Sequence, residues 1–382
     1  MPTTYFTPGV YVEEVSSGLA PIAGVGTSTA GFIGVIPPSA QADADADTLP
    51  IASGQVELCT NFTEFKTSFG DFSAKPGQNM LAHSVYGFFR NGGTRCFVVW
   101  VADEADIPNA LEKFEAIDEI AIVAAPGVTS KAALSTIIDH CQSQGDRFAI
   151  IDTEEDIAQD QLKPGSTKLP GNSDYAALYY PWIQVFDPIT KGMIFVPPSG
   201  HIAGIYARVD DRRGVHKAPA NEPILGAVGL KQDISKAKQA PLNNDGINCL
   251  RNLNGNIRVW GARTLGAGKD NPDFKYINIR RQFNYLRESI DEGTQWVVFE
   301  PNDAELWAKI RRNITAFLMN EWRKGALFGT TPQEAFYVKC DAENNPIESR
   351  KLGQVVAEVG VAVIEPAEFV IFRINQLLPE EK

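Results

Sequence analysis

Apolar and polar positions alternate at both ends of the chain. Phe6-Thr-Pro-Gly-Val-Tyr-Val-Glu-Glu-Val15 places a Pro8-Gly9 turn before Val10 and Val12, which alternate with Tyr11 and Glu13. Phe369-Val-Ile-Phe-Arg-Ile-Asn-Gln376 stands near the other end. Both segments are predicted strands. A strand at a chain end leaves unpaired N–H and C=O groups unless an edge receives it. If the receiver is a second copy of the chain, the molecule is a link in a mesh rather than a catalyst.

Between the ends, strand and helix signals alternate. Ala30-Gly-Phe-Ile-Gly-Val-Ile36 reads as a buried strand stopped by Pro37-Pro38, and the Ala/Asp-rich stretch Ser39–Leu49 as a solvated loop. Thr60–Phe69 and Met80–Asn91 are predicted helices, the second setting Leu81, Val85, Phe88 and Phe89 on one face. After an Asn91-Gly-Gly-Thr94 turn, Arg95–Val101 is an almost continuous apolar run, which suits a sheet covered on both faces. Helix Ala110–Ile117, strand Ile120–Ala125, helix Ser130–Gln144 and strand Arg147–Asp152 extend the rhythm into an alternating α/β layer. A Pro/Gly-rich loop, Leu162–Ser173, precedes a strand pair, Ala177–Val185 with Lys191–Pro197, and then a helix capped by Ser199. Residues 209–256, rich in Gly, Pro and Asn, are expected to wrap the surface.

The C-terminal third is more regular. Asn256–Thr264 is a predicted strand, and helix Tyr276–Glu292 sets Ile279, Phe283, Leu286 and Ile290 on one stripe. A strand over Gln295–Glu300 leads to a long helix ending near Lys324, with Asn302 as cap and Glu305 in the capping-box place. Its apolar stripe is Leu306, Ile310, Ile314, Phe317 and Leu318. Ala335–Cys340 and Val355–Ile364 are the last predicted strands before Glu365-Pro366.

At 382 residues the chain exceeds one ordinary core, so two or three domains are expected. The net charge is −12, and residues 1–150 carry 7 Lys/Arg against 17 Asp/Glu. Without a basic stripe, DNA and RNA are not expected partners. The five cysteines, Cys59, Cys96, Cys141, Cys249 and Cys340, are scattered with no C-x-x-C pair, which favours reduced thiols over a disulfide framework or structural zinc. The Met1-Pro-Thr-Thr start lacks the basic and apolar regions of a secretory signal, and Gly, Pro, Ser and Thr interrupt the uncharged stretch Gly18–Ala42. No membrane insertion is expected.

Catalytic constellations are weak. None of His83, His140, His201 and His216 has metal-ligand spacing. Asp43, Asp45 and Asp47 begin like a calcium loop, but Thr48 and Gly54 stand where Gly and Glu belong. Pro198-Ser199-Gly200-His201 juxtaposes Ser and His without a G-x-S-x-G motif, and a helix cap explains Ser199. Gly24-Val-Gly26 lacks the third glycine of a dinucleotide loop. No metal and no cofactor are expected. Lys309, Arg311, Arg312, Arg323 and Lys324 form a basic group on or after the long helix, readable as a solvated face or as a docking surface for a negatively charged partner.

Thr7-Pro-Gly-Val-Tyr-Val-Glu-Glu14, Phe88-Phe-Arg-Asn-Gly-Gly93 and Gly255-Asn-Ile-Arg-Val-Trp-Gly-Ala-Arg-Thr-Leu265 are followed by Tyr276–Glu292, Val297-Val-Phe-Glu-Pro-Asn302 and Pro366-Ala-Glu-Phe-Val-Ile-Phe-Arg-Ile374. With these segments, spanning nearly its whole length, the chain resembles the sheath proteins of contractile phage tails, R-type pyocin-like particles and extracellular contractile injection particles. The resemblance implies an α/β fold. Its parts would be an N-terminal arm (1–22), a central domain like subtilisin without its active site (23–270), a C-terminal α/β domain (271–364) and a C-terminal strand or arm (365–382).

It also implies that arms add strands to a sheet in another subunit's C-terminal domain. Pro8, Gly9, Val10, Tyr11, Val12 and Glu13 at one end and Phe369, Val370, Ile371, Phe372, Arg373 and Ile374 at the other would be the exchanged residues. The implied function is structural, not enzymatic: a helical cylinder around an inner tube whose contraction drives the tube through a cell envelope. Implied partners are further copies of the chain, the tube protein, the baseplate and terminator or cap proteins. The subunit would be made in the bacterial cytoplasm and assembled in a phage tail or tail-like particle. Ser16-Ser-Gly-Leu-Ala-Pro21 and Glu365-Pro366 are the expected hinges, and Lys309–Lys324 the expected tube contact. A self-assembling surface-layer or tube protein and a hydrolase are the alternatives.

Overall fold

Apolar runs long enough to be covered on both sides become the centre of a three-layer structure. The computed structural model describes residues 21–38 and 49–373. Along the chain the elements are β1 (Ala30–Val35), β2 (Glu57–Cys59), α1 (Phe62–Phe69), α2 (Pro76–Arg90), β3 (Cys96–Val101), α3 (Ile107–Glu115), β4 (Ile122–Ala124), α4 (Lys131–Gln144) and β5 (Phe148–Ile151). There follow β6 (Ala176–Tyr180), β7 (Ile183–Asp187), β8 (Gly192–Val196), α5 (Ser199–Arg213), β9 (Gly229–Leu230), α6 (Lys236–Asn244), β10 (Ile247–Leu253) and β11 (Asn256–Trp260). The C-terminal part holds α7 (Ile277–Thr294), α8 (Ala304–Arg323), α9 (Pro332–Ala335), β12 (Phe336–Lys339), α10 (Ile347–Lys351) and β13 (Glu358–Val361).

The main sheet has the order β11-β10-β6-β5-β4-β1-β3-β2, parallel from β10 to β3 with antiparallel edges. Period-2 geometry sends Phe32 into the core with α1, α2 and α5, and its neighbour Ile33 into the core with α3, α4 and α6. That is why the strands read as unbroken apolar runs. A third core gathers Leu306, Ile310, Ile314, Phe317 and Leu318 of α8 with Leu286, Phe336 and Ile22. Helices α2 and α5 approach closely because a Cβ at Gly204 would lie 2.4 Å from the Phe88 carbonyl oxygen.

Several expectations need correction. The strand read over Ala177–Val185 divides at Pro181: its first half is β6 of the main sheet and its second half, β7, pairs with β8 and β9 in a separate three-stranded sheet. Proline has no N–H to give a ladder, so the break falls there. Residues 209–256 do not simply wrap the surface. β10 is inside the main sheet, with Ile247, Cys249 and Leu250 fully buried; Asn248 diluted the apolar signal, yet its amide is satisfied by the Leu178 and Arg263 carbonyl oxygens.

Gln295–Glu300 is not a strand: a short 3-10 turn over Gln295–Val297 is followed by exposed Val298 and Phe299, the latter at φ 70°. An apolar run with no facing strand cannot form a ladder. The α8 cap is Asp303, whose side chain accepts from the Leu306 N–H at 2.9 Å, while Asn302 accepts from the Trp307 indole instead and Glu305 pairs with Lys309. Ser199 is the first residue of α5 rather than its cap. Phe369–Arg373 form no strand pairing, and Ile374 lies outside the described residues, as do the predicted N-terminal strand with Pro8, Gly9, Val10, Tyr11, Val12 and Glu13 and the acidic stretch with Asp43, Asp45 and Asp47.

Candidate assembly surface

Helix α7 joins the central sheet to the C-terminal core, and its polar side is buried with it. Arg281, 3% exposed, donates to both oxygens of Asp210 at 3.0 and 2.6 Å and to the Thr27 carbonyl at 2.9 Å, with its guanidinium over the Tyr206 ring. Thr27 also donates to Asp210 at 2.7 Å, and the Val25 N–H donates to Ser289 Oγ at 3.1 Å. Ile22 packs into the third core. The segment that begins at Ile22 is therefore tied along α7.

The basic group divides once its partners are known. Lys309 pairs with Glu305 at 2.8 Å, Lys324 with Glu321 at 2.7 Å, and Arg311 donates to the Cys340 carbonyl at 2.7 Å. Among the described residues, Arg312 and Arg323 have no hydrogen-bond or ion-pair partner and are exposed. Eleven residues apart, they stand three turns and ~16 Å along one face of α8. The sequence found the group but could not separate internally bonded from outward cations, because the partners lie on α8 itself and beyond β12.

The edges of the main sheet are blunted. β2 is three residues long, and β11 is covered by residues 221–224 through bonds such as Ile224 N–H to Ile257 O at 3.0 Å. β12 and β13 differ: among the described residues they pair only with each other, so each has one free edge. Two strands alone are marginal. Phe369, Val370, Ile371 and Phe372 are 70%, 66%, 78% and 84% exposed, an apolar run without cover among the described residues.

Just before that run, Glu368 is held hard. Its Oε1 accepts from Asn243 Nδ2 at 2.8 Å and Arg263 Nε at 2.8 Å, and its Oε2 from Arg263 Nη2 at 2.7 Å and Tyr276 OH at 2.9 Å. Burial raises its pKa, but the bonds from Arg263 and Asn243, the Arg263 charge and Tyr276 more than reverse this, leaving it below the usual range. Burial, and then Glu368, push the Tyr276 phenol up to about 12. In the sequence, the only local sign of Glu368's role is an acid placed directly before the apolar run Phe369–Phe372.

The hydrolase alternative loses its nucleophile and base. Ser199, fully buried, donates through Oγ to Asp152 Oδ2 at 2.6 Å and through N–H to Oδ1 at 3.1 Å, so Asp152, directly after β5, serves the start of α5. His201 is 2% exposed and burial holds its pKa down to about 3, with no bond to Ser199. His83 meets Asp187 at 3.1 Å, and His140 lies 3.4 Å from Arg147. All five cysteines are free and buried, and among the described residues no His/Cys/Asp/Glu group could hold a metal ion.

Asp152 has a measurable consequence. Complete burial raises its pKa from 3.8 to about 7, against the lowering effect of bonds from Ser199 and Gly127. The folded state therefore binds a proton the unfolded state has released, so this contribution is full below about pH 4 and is lost as pH rises through 7. Chemical denaturation of wild type and Asp152→Asn between pH 5.5 and 8 checks it. Wild type is expected to lose stability relative to the variant with rising pH, whereas parallel curves contradict the assignment.

Comparison with known proteins places this geometry. Residues 101–265 match the family described as phage tail sheath protein central domain, and residues 269–376 match the phage tail sheath C-terminal domain. The tail sheath protein of Burkholderia phage BcepMu is 27% identical over 53% of this chain, and that of Vibrio phage KVP40 is 27% identical over 71%. The matches span 43% and 39% of those two proteins' own lengths. Among solved structures, the sheath of the extracellular contractile injection system PVC in its contracted state has a TM-score of 0.79 at 28% identity, covering 100% of both chains. The contracted helical sheath of the anti-feeding prophage has a TM-score of 0.78 at 27% identity, covering 98% of this chain and 100% of that one. The chain, an α/β protein that matches both the central and the C-terminal sheath models, belongs to the phage tail sheath family.

Proposed function

We propose that the protein is the sheath subunit of a contractile injection particle, polymerising as a helical cylinder around an inner tube and contracting to drive that tube through a cell envelope. The observation that carries this reading is similarity over the full chain to two contracted sheaths. A chain of the anti-feeding prophage baseplate, at a TM-score of 0.76, supports a baseplate partner. Terminator or cap proteins complete the proposed set, in a phage tail or a released tail-like particle. The proposed units are arm 1–22, a subtilisin-like central domain 23–270, C-terminal domain 271–364 and arm 365–382.

The arms would complete neighbouring subunits. β12 and β13 offer two free edges, and Phe369–Phe372 offer an uncovered apolar strand sequence; pairing them removes both deficits. Linked in this way, cores can reorient as rigid bodies without parting. New contacts between cores in the contracted state would supply the free energy, with no nucleotide or cofactor required. Electron microscopy of purified protein tests the reading: a thick hollow helical cylinder supports it, whereas flat lattices favour the surface-layer alternative.

For the tube, Arg312 and Arg323 are the proposed outward contacts of the group that also holds Lys309, Arg311 and Lys324. Each exposed charge contributes only ~0.2–1 kcal/mol, a strength that repeats along the cylinder yet can break on firing. Reversing Arg312 and Arg323 to Glu is expected to leave fold and sheath polymerisation intact and to abolish tube-filled particles. Normal filled particles from that variant contradict the assignment.

A further inference from the structure

We infer that Glu368 is the fixed root of the C-terminal arm, a positioning residue that passes force from the arm into the central sheet, so that the arm pivots at Glu368–Phe369 rather than at Glu365-Pro366. The inference rests on the strand-exchange reading above. Two observations frame it. The Ile364 carbonyl is held by Asn278 Nδ2 at 3.0 Å, and the Glu368 carboxylate is held four residues later by Asn243, Arg263 and Tyr276. A three-residue stretch pinned at both ends cannot serve as a free joint, and the Glu368 N–H bond to the Pro366 carbonyl at 2.9 Å tightens it further.

Arg263 is itself held on several sides. It is 6% exposed, its N–H donates to Asn248 Oδ1 at 2.8 Å, and its Nη1 donates to the Asn243 carbonyl at 2.9 Å. Asn248 lies on β10, so tension on the arm runs through Glu368 and Arg263 into the eight-stranded sheet. It thereby bypasses β12 and β13, the small sheet least able to carry it. The root also sets reach. Releasing the clamp would move the root back to Ile364 and add ~13 Å of slack, letting a paired strand slip relative to the core that pulls it.

The test compares full-length wild type, Glu368→Gln and Tyr276→Phe with a chain ending at Glu368. Two quantities are read: the urea midpoint of subunit unfolding, and the fraction of assembled cylinders that stay intact under a fixed shear. Glu368→Gln is expected to lower the midpoint, because Arg263, 6% exposed, loses its counter-charge, and, under shear without urea where the subunit stays folded, to leave about ten-fold fewer intact cylinders, the scale of one charge-assisted bond. Tyr276→Phe, which removes one bond of four, is expected to fall between them and carries the same test if Glu368→Gln does not assemble. Wild-type shear resistance in these variants overturns the anchor. The chain ending at Glu368 is expected to form no cylinders; if it forms them normally, the strand-exchange reading fails instead.

Discussion

Removing residues 1–15 is expected to leave a folded subunit that no longer polymerises. The truncation stops short of Ile22, where the chain joins the C-terminal core, and of Thr27, which bonds Asp210. The fold therefore keeps its ties along α7. On the strand-exchange proposal assembly would lose a strand at every link, and a strand of this size would form several backbone hydrogen bonds at ~0.5–1.5 kcal/mol net each. Losing ~3–4 kcal/mol per link weakens it by a factor of ~100 to 1,000, and avidity multiplies the loss along the polymer. Circular dichroism and analytical ultracentrifugation check the two halves of the outcome. Helical cylinders persisting after truncation contradict the role given to the arm.

Arg281→Met is expected to cost the subunit about 3–5 kcal/mol, the largest stability loss anticipated here for a single side chain. Asp210 and Arg281 are 4% and 3% exposed, so the substitution strands a carboxylate inside the junction of the two cores. It also breaks the bond to Thr27 that ties the incoming chain to α7. Chemical denaturation measures the loss. Adding Asp210→Asn should recover part of it, because the penalty belongs to the unpaired charge and not to the missing contact alone. A single variant as stable as wild type contradicts the view that this pair holds the domains together.

The alternating α/β layer was legible because its signals are local: Ala30–Ile36 and Arg95–Val101 are apolar throughout, and the α8 stripe returns every three or four residues. Errors arose where a partner distant in sequence decides the outcome. β10 carries a buried Asn248 whose acceptors are Leu178 and Arg263, so its polarity looked like surface. Gln295–Glu300 has strand composition but no neighbouring strand, and Phe299 ends exposed. The cap of α8 shifted by one residue because Asn302 is occupied by Trp307 and Gln354. At the candidate surface, the sequence supplied the basic group and the apolar tail. It could not tell Arg312 and Arg323 from Arg311, nor reveal that Glu368 is gripped by three side chains spread from Asn243 to Tyr276.

The most direct measurement is a high-resolution electron microscopy map of cylinders grown from the full-length chain, traced through both termini. The expected result is that the segments around Val10–Val12 and Phe369–Phe372 leave their own subunit and form backbone ladders on the edges of β12 and β13 in neighbouring copies. Density showing each terminus folded back on its own core, with neighbours touching only through side chains, would contradict the strand-exchanged sheath.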